Sequence, residues 1–96
     1  MKTELKEKFH AELESTIMEL KNLKLNCSRL EIMLEERGGY ETAKILIGSK
    51  EQSSGFTDLL LLGKKQISVE AKVINERFRD LFTDEEIKIC KDRMGN

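Results

Sequence analysis

The stretch FHAELESTIMELKNLKLNCSRLEIML, residues 9–34, decides how the rest of this chain is interpreted. Its apolar residues recur at alternating steps of four and three, which is the spacing of a coiled-coil seam on a helix. The eight seam residues, of which only Thr16 is polar, are Phe9, Leu13, Thr16, Leu20, Leu23, Cys27, Leu30 and Leu34. The pattern predicts one long helix whose seam is an oligomer interface, most simply with a second copy of the chain.

A second apolar stripe lies on the opposite side of the same predicted helix. It consists of Ala11, Met18, Leu25 and Ile32, which fall at heptad position f when the seam takes positions a and d. We expect the chain's own tail to cover this stripe and a second copy or a foreign helix to cover the seam. The alternative, in which the chain's own helices cover both faces, is disfavoured because the predicted helix is about 50 Å long.

The remaining sequence predicts an all-α protein, in which four short helices follow the long helix and pack back on it. Glu, Lys and Leu dominate residues 3–37, and Gly38-Gly39 predicts the end of the long helix. The short helices are predicted over 40–47, 56–62, 68–81 and 83–94. The helix 1–37 and the tail 38–96 are expected to form one domain.

Hydroxyl residues predict where the short helices begin. Ser53 or Ser54 is suited to cap the helix 56–62, and Ser68 is suited to cap the next one. Thr83 and Glu86 have the spacing of a capping box, in which each side chain accepts a hydrogen bond from the other residue's backbone.

Composition and charge limit the classes of function. Charged residues of both signs make up 36% of the chain and its net charge is −1, so there is no general electrostatic footprint for nucleic acid or an anionic membrane. No apolar run approaches the roughly 18 residues of a membrane span, and no signal-peptide pattern follows the charged N-terminus. We therefore expect a cytoplasmic protein with no membrane partner.

Residues able to do chemistry are few. His10 is the only histidine, so we expect it at the surface or an interface; a metal or pH-sensing role would need a symmetric dimer. Cys27 and Cys90 lie on apolar stripes and are expected to be reduced core residues. The carboxylates at 35–36 and 84–86 lie at predicted helix ends, where capping and the helix dipole account for the second run. We expect a non-enzyme with no cofactor and no metal site.

Basic residues around the predicted helix 68–81 leave an alternative open, a dimeric nucleic-acid-binding regulator of helix-turn-helix type. Its candidate contact residues are Lys64, Lys65, Lys72, Arg77 and Arg79. However, Glu70, Glu76 and Asp80 share the helix and would repel phosphates. We therefore favour a solvated, salt-bridged surface.

The tail resembles a helical segment of uncharacterised bacterial and phage proteins. The matching residues are SGFTDL at 54–59, Gly63, SVEAKV at 68–73 and LFTDEE at 81–86. Leu60 departs from the pattern, in which an aromatic residue is usual, and so does the turn 64–66. The resemblance implies a bacterial or phage source and a small helical unit, and it carries over no activity.

The two apolar faces of the predicted long helix are the strongest functional signal. They favour a non-catalytic protein–protein interaction module, namely a homodimeric adaptor or inhibitor whose other partner is a protein of unknown identity. In size and style, such a chain is also typical of phage and mobile-element accessory proteins that act on host defence proteins.

Overall fold

The computed structural model describes residues 2–50 and 53–95, and the described chain is all-helical, as predicted. The α-helices are α1 (Lys2–Asn22), α2 (Ser28–Gly48), α3 (Ser54–Leu61), α4 (Val69–Val73) and α5 (Asp84–Met94). Two 3₁₀ turns, Lys65–Ile67 and Glu76–Leu81, lie before and after α4. Among these described helices, none has the length and apolar character needed to cross a bilayer.

The predicted long N-terminal helix is present, but it ends at Asn22. Its predicted extension to residue 37 is wrong, because the chain folds back at residues 23–27, called here the α1–α2 turn. α1 ends in a Schellman motif, in which the Leu25 N–H donates to the Leu20 carbonyl at 3.0 Å and the Lys24 N–H donates to the Lys21 carbonyl at 2.9 Å. Lys24 takes the left-handed position of this motif, with φ 61°. The molecule consequently measures 35 × 28 × 21 Å, shorter than the predicted helix alone.

Folding back places the predicted oligomer seam in the chain's own core. The buried seam residues are Phe9, Leu13, Thr16, Leu20, Cys27 and Leu34, and the partly buried ones are Leu23 and Leu30. The second stripe lies mainly outside, since Met18 is 66% exposed and Ile32 is 54% exposed. The predicted assignment of the two faces is therefore wrong, because the two halves of the seam belong to one core once the helix is broken.

An aromatic cluster joins α1 to the rest of the core. The Phe9 ring packs edge-on against Phe78 and Phe82, with 5.2 Å between ring centroids in both pairs. Tyr40 of α2 stacks on Phe82 with 5.9 Å between centroids. Such pairs add specific geometry to the burial of large apolar surfaces, so they fix α1 against α2 and the second 3₁₀ turn.

Gly38-Gly39 kinks α2 instead of ending it. Gly38 has φ 82° and ψ 166°, and helix resumes beyond it, so the predicted helix 40–47 is the second half of α2. The predicted division between 37 and 38 thus falls within α2. The Gly39 N–H donates to His10 Nδ1 at 3.0 Å, and a Cβ at Gly39 would lie 2.7 Å from the His10 Cα. The single histidine therefore lies where the backbones of α1 and α2 approach very closely, and it accepts a hydrogen bond there.

The predicted capping residues are confirmed. Ser53 accepts from the Phe56 N–H, Ser68 accepts from the Ala71 N–H, and Thr83 and Glu86 form both bonds of a capping box. These signals act within one turn of helix, so they are independent of the packing elsewhere.

The predicted helix 68–81 is wrong in its second half, because α4 ends at Val73. The Asn75 side chain accepts a hydrogen bond from the Arg77 N–H and begins the 3₁₀ turn Glu76–Leu81. Asparagine competes in this way with the helical bonding of its neighbours, and here the competing arrangement brings Phe78 into the core.

We expect Gly39→Ala to lower the free energy of unfolding by about 1–3 kcal/mol, because the new Cβ would collide with the backbone of α1. Gly48→Ala is the matched control, since among the described residues no atom outside its chain neighbours and its own turn of helix backbone lies within 4 Å of a Cβ at that position. Its stability should stay equal or rise by up to about 1 kcal/mol. Urea denaturation followed by circular dichroism measures both values, and equal effects would contradict the close approach of α1 and α2.

Candidate binding groove

A groove of about 800 Å³ lies where α1, the start of α2, α3 and the start of α4 meet. Its volume is in the range of pockets that hold ligands or the side chains of a partner. The apolar lining residues are Leu20, Leu30, Met33, Leu46, Phe56, Leu59 and Val69. The uncharged polar lining residues are Thr16, Asn26, Ser28, Ser49, Ser53, Ser54 and Ser68. The groove thus combines an apolar interior with many groups able to form hydrogen bonds.

The first residues of three helices line this groove, which gives it positive electrostatic character. Ser28 begins α2, Ser54 begins α3 and Val69 begins α4. Helix N-termini carry partial positive charge, and the Ser53 and Ser68 side chains each satisfy one of the N–H groups at the starts of α3 and α4. At the start of α2, Cys27 forms no side-chain capping bond in the described chain, but Asn26 Oδ1 accepts from the Ser28 N–H at 3.0 Å and Glu31 lies in the first turn. These two groups partly offset the positive character of this helix start.

Two exposed cations, Arg29 and Lys50, also line the groove. The acidic lining residues are Asp58, which is half-buried, and Glu70, which is buried and paired with Arg93. Because the Arg93 guanidinium offsets the Glu70 charge, the accessible groups favour a ligand that carries negative charge beside an apolar part.

Arg93 of α5 connects the floor of the groove to the end of α2. Its Nη1 lies 3.5 Å from Glu70 Oε2 and donates to the Leu46 carbonyl at 3.0 Å. Its Nη2 donates to the carbonyls of Ile47 and Ser49, at 3.3 and 2.7 Å. Burial raises the pKa of Glu70, whereas the Arg93 charge opposes that rise. The Glu70–Arg93 pair therefore has a structural role: it holds α4, α5 and the end of α2 together behind the groove.

The thiols near this region are poorly suited to nucleophilic chemistry. Burial raises the pKa of the Cys90 thiol to about 12. Burial, with a smaller effect of the Glu31 carboxylate, also raises the pKa of Cys27. Both cysteines are free and buried, as the sequence predicts. Thiolates are therefore disfavoured at both positions, so neither cysteine is activated as a nucleophile.

The Thr16 and Thr42 hydroxyls are buried without a hydrogen-bond partner among the described residues. Within residues 2–50 and 53–95, no group of three or more His, Cys, Asp or Glu side chains is arranged to hold a metal ion.

The candidate nucleic-acid residues do not form one continuous basic surface. Lys72 Nζ lies 3.3 Å from Glu12 Oε1, and Arg77 Nη2 lies 3.7 Å from Glu12 Oε2. Lys65 donates to the Met94 carbonyl at 2.6 Å, which satisfies the end of α5. Three of the five predicted contact residues therefore hold elements of the chain together.

The other two, Lys64 and Arg79, are exposed and lie on separate elements. Arg79 lines a smaller cavity of about 360 Å³ together with Lys88, Lys91, Glu76 and Asp84, so charges of both signs meet there. A recognition helix over 68–81 is absent from the described fold, because the chain leaves the helical path at Ile74 and Asn75.

Comparison with known proteins found no matching protein family, curated protein or solved structure. The function is therefore inferred from the geometry of the groove.

Sequence reasoning did not single out the groove residues Arg29, Met33 and Lys50. The predicted helix starts at Ser53 and Ser68 could have indicated the groove. Helix N-termini that lie close together concentrate N–H groups at one place in a fold. Which helix N-termini lie close together depends on the α1–α2 turn, and the sequence pattern did not indicate this turn.

We expect Arg93→Met to lower the free energy of unfolding by about 3–5 kcal/mol near neutral pH, because the buried Glu70 carboxylate and three carbonyls lose their donor. The raised pKa of Glu70 favours folding with the carboxyl protonated, and this contribution is lost as pH rises through that pKa. Removing Arg93 would raise the pKa of Glu70 further, because the charge that opposes the rise is lost. The loss in the variant should therefore be smaller at about pH 5 than at about pH 8.

Lys88→Met provides the matched control on the same helix, because Lys88 pairs with Asp92 in the exposed i, i+4 arrangement. Its stability should change by less than about 0.5 kcal/mol at either pH. Guanidinium denaturation at both pH values measures the comparison. A loss in Arg93→Met that does not depend on pH would contradict the role of Glu70.

Proposed function

We propose that this chain is a non-catalytic protein–protein interaction module, an adaptor or inhibitor, that binds an amphipathic segment of another protein in the groove. The observation that carries the proposal is the groove itself, with about 800 Å³ of space whose apolar lining is bordered by helix starts and polar side chains. Apolar side chains at helical spacing on a partner segment would fill such a groove, as in known helix-in-groove complexes.

The charges around the groove specify the chemistry of that partner segment. Arg29 and Lys50 are exposed and line the groove, so two cations border its apolar residues. Acidic side chains flanking the apolar residues of the segment would meet these groups, whereas basic ones would be repelled. The proposed partner therefore carries acidic residues next to its apolar anchors.

A cytoplasmic location and an accessory role against host defence proteins, in a phage or mobile element, belong to the same proposal. They are supported by the resemblance of residues 54–86 to the bacterial and phage segment. An inhibitor needs only a binding surface, so these expectations are compatible with a groove of this kind.

The alternative, a nucleic-acid-binding regulator, has less support. Its helix ends early, and Lys72 and Arg77 are paired with Glu12. The exposed cations Lys64 and Arg79 favour this alternative, so the binding experiment also includes a labelled DNA duplex.

The test uses two labelled helical peptides of about 16 residues, roughly four turns, with the same leucine spacing and with either glutamate or lysine flanks. We expect the glutamate-flanked peptide to bind at least about 10-fold more tightly at low salt, because it complements Arg29 and Lys50. Fluorescence anisotropy measures affinity, and NMR shift changes at Met33 and Phe56 locate the binding. The Arg29→Glu/Lys50→Glu variant should reverse the preference.

Lys64→Glu/Arg79→Glu is the matched control, since it removes the same number of exposed cations outside the groove. It should keep the preference for glutamate flanks. Binding of neither peptide, or shift changes away from the groove, would overturn the proposal. Binding of a labelled DNA duplex that is lost in this control variant would instead favour the nucleic-acid alternative.

A further inference from the structure

We infer that a second copy of this chain can replace α1 in the core, so that two chains form a dimer by exchanging α1. In this arrangement the α1–α2 turn becomes helical, and each chain contains one helix that extends from α1 through α2 as far as the kink at Gly38. The inference rests on the turn and its contacts, and it is independent of the proposed function of the groove.

The sequence of the turn is compatible with a continuous helix. Residues 23–27, LKLNC, contain neither glycine nor proline. The seam spacing also continues through the turn without a break, because Leu20, Leu23, Cys27 and Leu30 follow at steps of three, four and three. A helical turn segment would place Leu23 and Cys27 on the same face as the rest of the seam, at the centre of an antiparallel pair.

The folded-back turn places an unfavourable residue at its critical position. Lys24 has φ 61° in the C′ position of a Schellman motif, where glycine is preferred because a side chain is disfavoured in the left-handed region. Straightening the turn removes this strain in both chains. It also breaks the Lys21–Glu31 ion pair across the turn, but that pair is largely exposed and adds little.

The contacts that α1 would lose are specific enough to identify the replacement. Phe9 packs against Phe78 and Phe82, His10 accepts from the Gly39 N–H, and Glu12 pairs with Lys72. All of these partners lie beyond the turn. An α1 from a second copy would remake each contact between chains, so exchange leaves the core unchanged apart from the turn.

The first experiment compares Lys24→Gly with Lys24→Ala after refolding from denaturant at several protein concentrations. Glycine relieves the left-handed strain and weakens a helical turn segment, whereas alanine retains the strain and favours helix. We expect the dimer dissociation constant of Lys24→Gly to be larger by on the order of 100-fold. Light scattering measures the mass, and the expected dimer has twice the 11.1 kDa of one chain.

The second experiment identifies the exchange by charge. Glu12→Lys and Lys72→Glu each place like charges together in a closed monomer. In a mixed exchanged dimer, the lysine introduced at position 12 of one chain would meet the glutamate introduced at position 72 of the other. The remaining pair would be the original one, Glu12 with Lys72. We therefore expect the two variants, refolded together, to form a heterodimer in preference to either homodimer, as native mass spectrometry would show.

Monomers throughout, including Lys24→Ala at millimolar concentration, would overturn the inference. A dimer population in which the two homodimers and the heterodimer form without preference would also overturn it, because a dimer without exchange keeps each Glu12 contact within its own chain. Both experiments are done without a peptide, so their failure is distinguishable from failure of the groove proposal.

Discussion

The close approach of α1 and α2 is the constraint on which the rest of the structure depends. Gly39 permits the backbones to come together, and the His10 Nδ1 accepts the N–H that the kink leaves free. With the helices this close, Phe9 reaches the rings of Phe78 and Phe82. Folding the predicted helix of about 50 Å back on itself encloses the apolar residues of both its halves in one core.

The groove is a consequence of how the short helices are attached to this pair. Arg93 joins the end of α2 to Glu70, and it thereby holds α5 and the start of α4 beside the end of α2. α3 then covers only part of the space, with Phe56 and Leu59 facing inwards. Three helix starts and an apolar interior meet there, so the positive character and the apolar character of the groove have one structural origin.

The sequence predicts local features of this fold better than its long-range ones. The caps at Ser53, Ser68 and Thr83 depend on residues within one turn, so the sequence indicates them correctly. The seam spacing identifies which face of α1 and α2 is buried. However, a straight helix paired with a second chain and a helical hairpin within one chain require the same spacing. The break at Lys24 was therefore not predictable from periodicity, and neither was a groove that depends on that break.

If both proposals hold, the groove and the exchange of α1 are thermodynamically linked. Asn26 and Cys27 of the α1–α2 turn line the groove together with Ser28, the first residue of α2. All three would be rearranged in a continuous helix. A partner segment that needs this side of the groove binds the closed monomer better, so it must shift the equilibrium away from the exchanged dimer. Reciprocity requires dimer formation to weaken binding of that segment by the same factor, so chain concentration would regulate access to the groove.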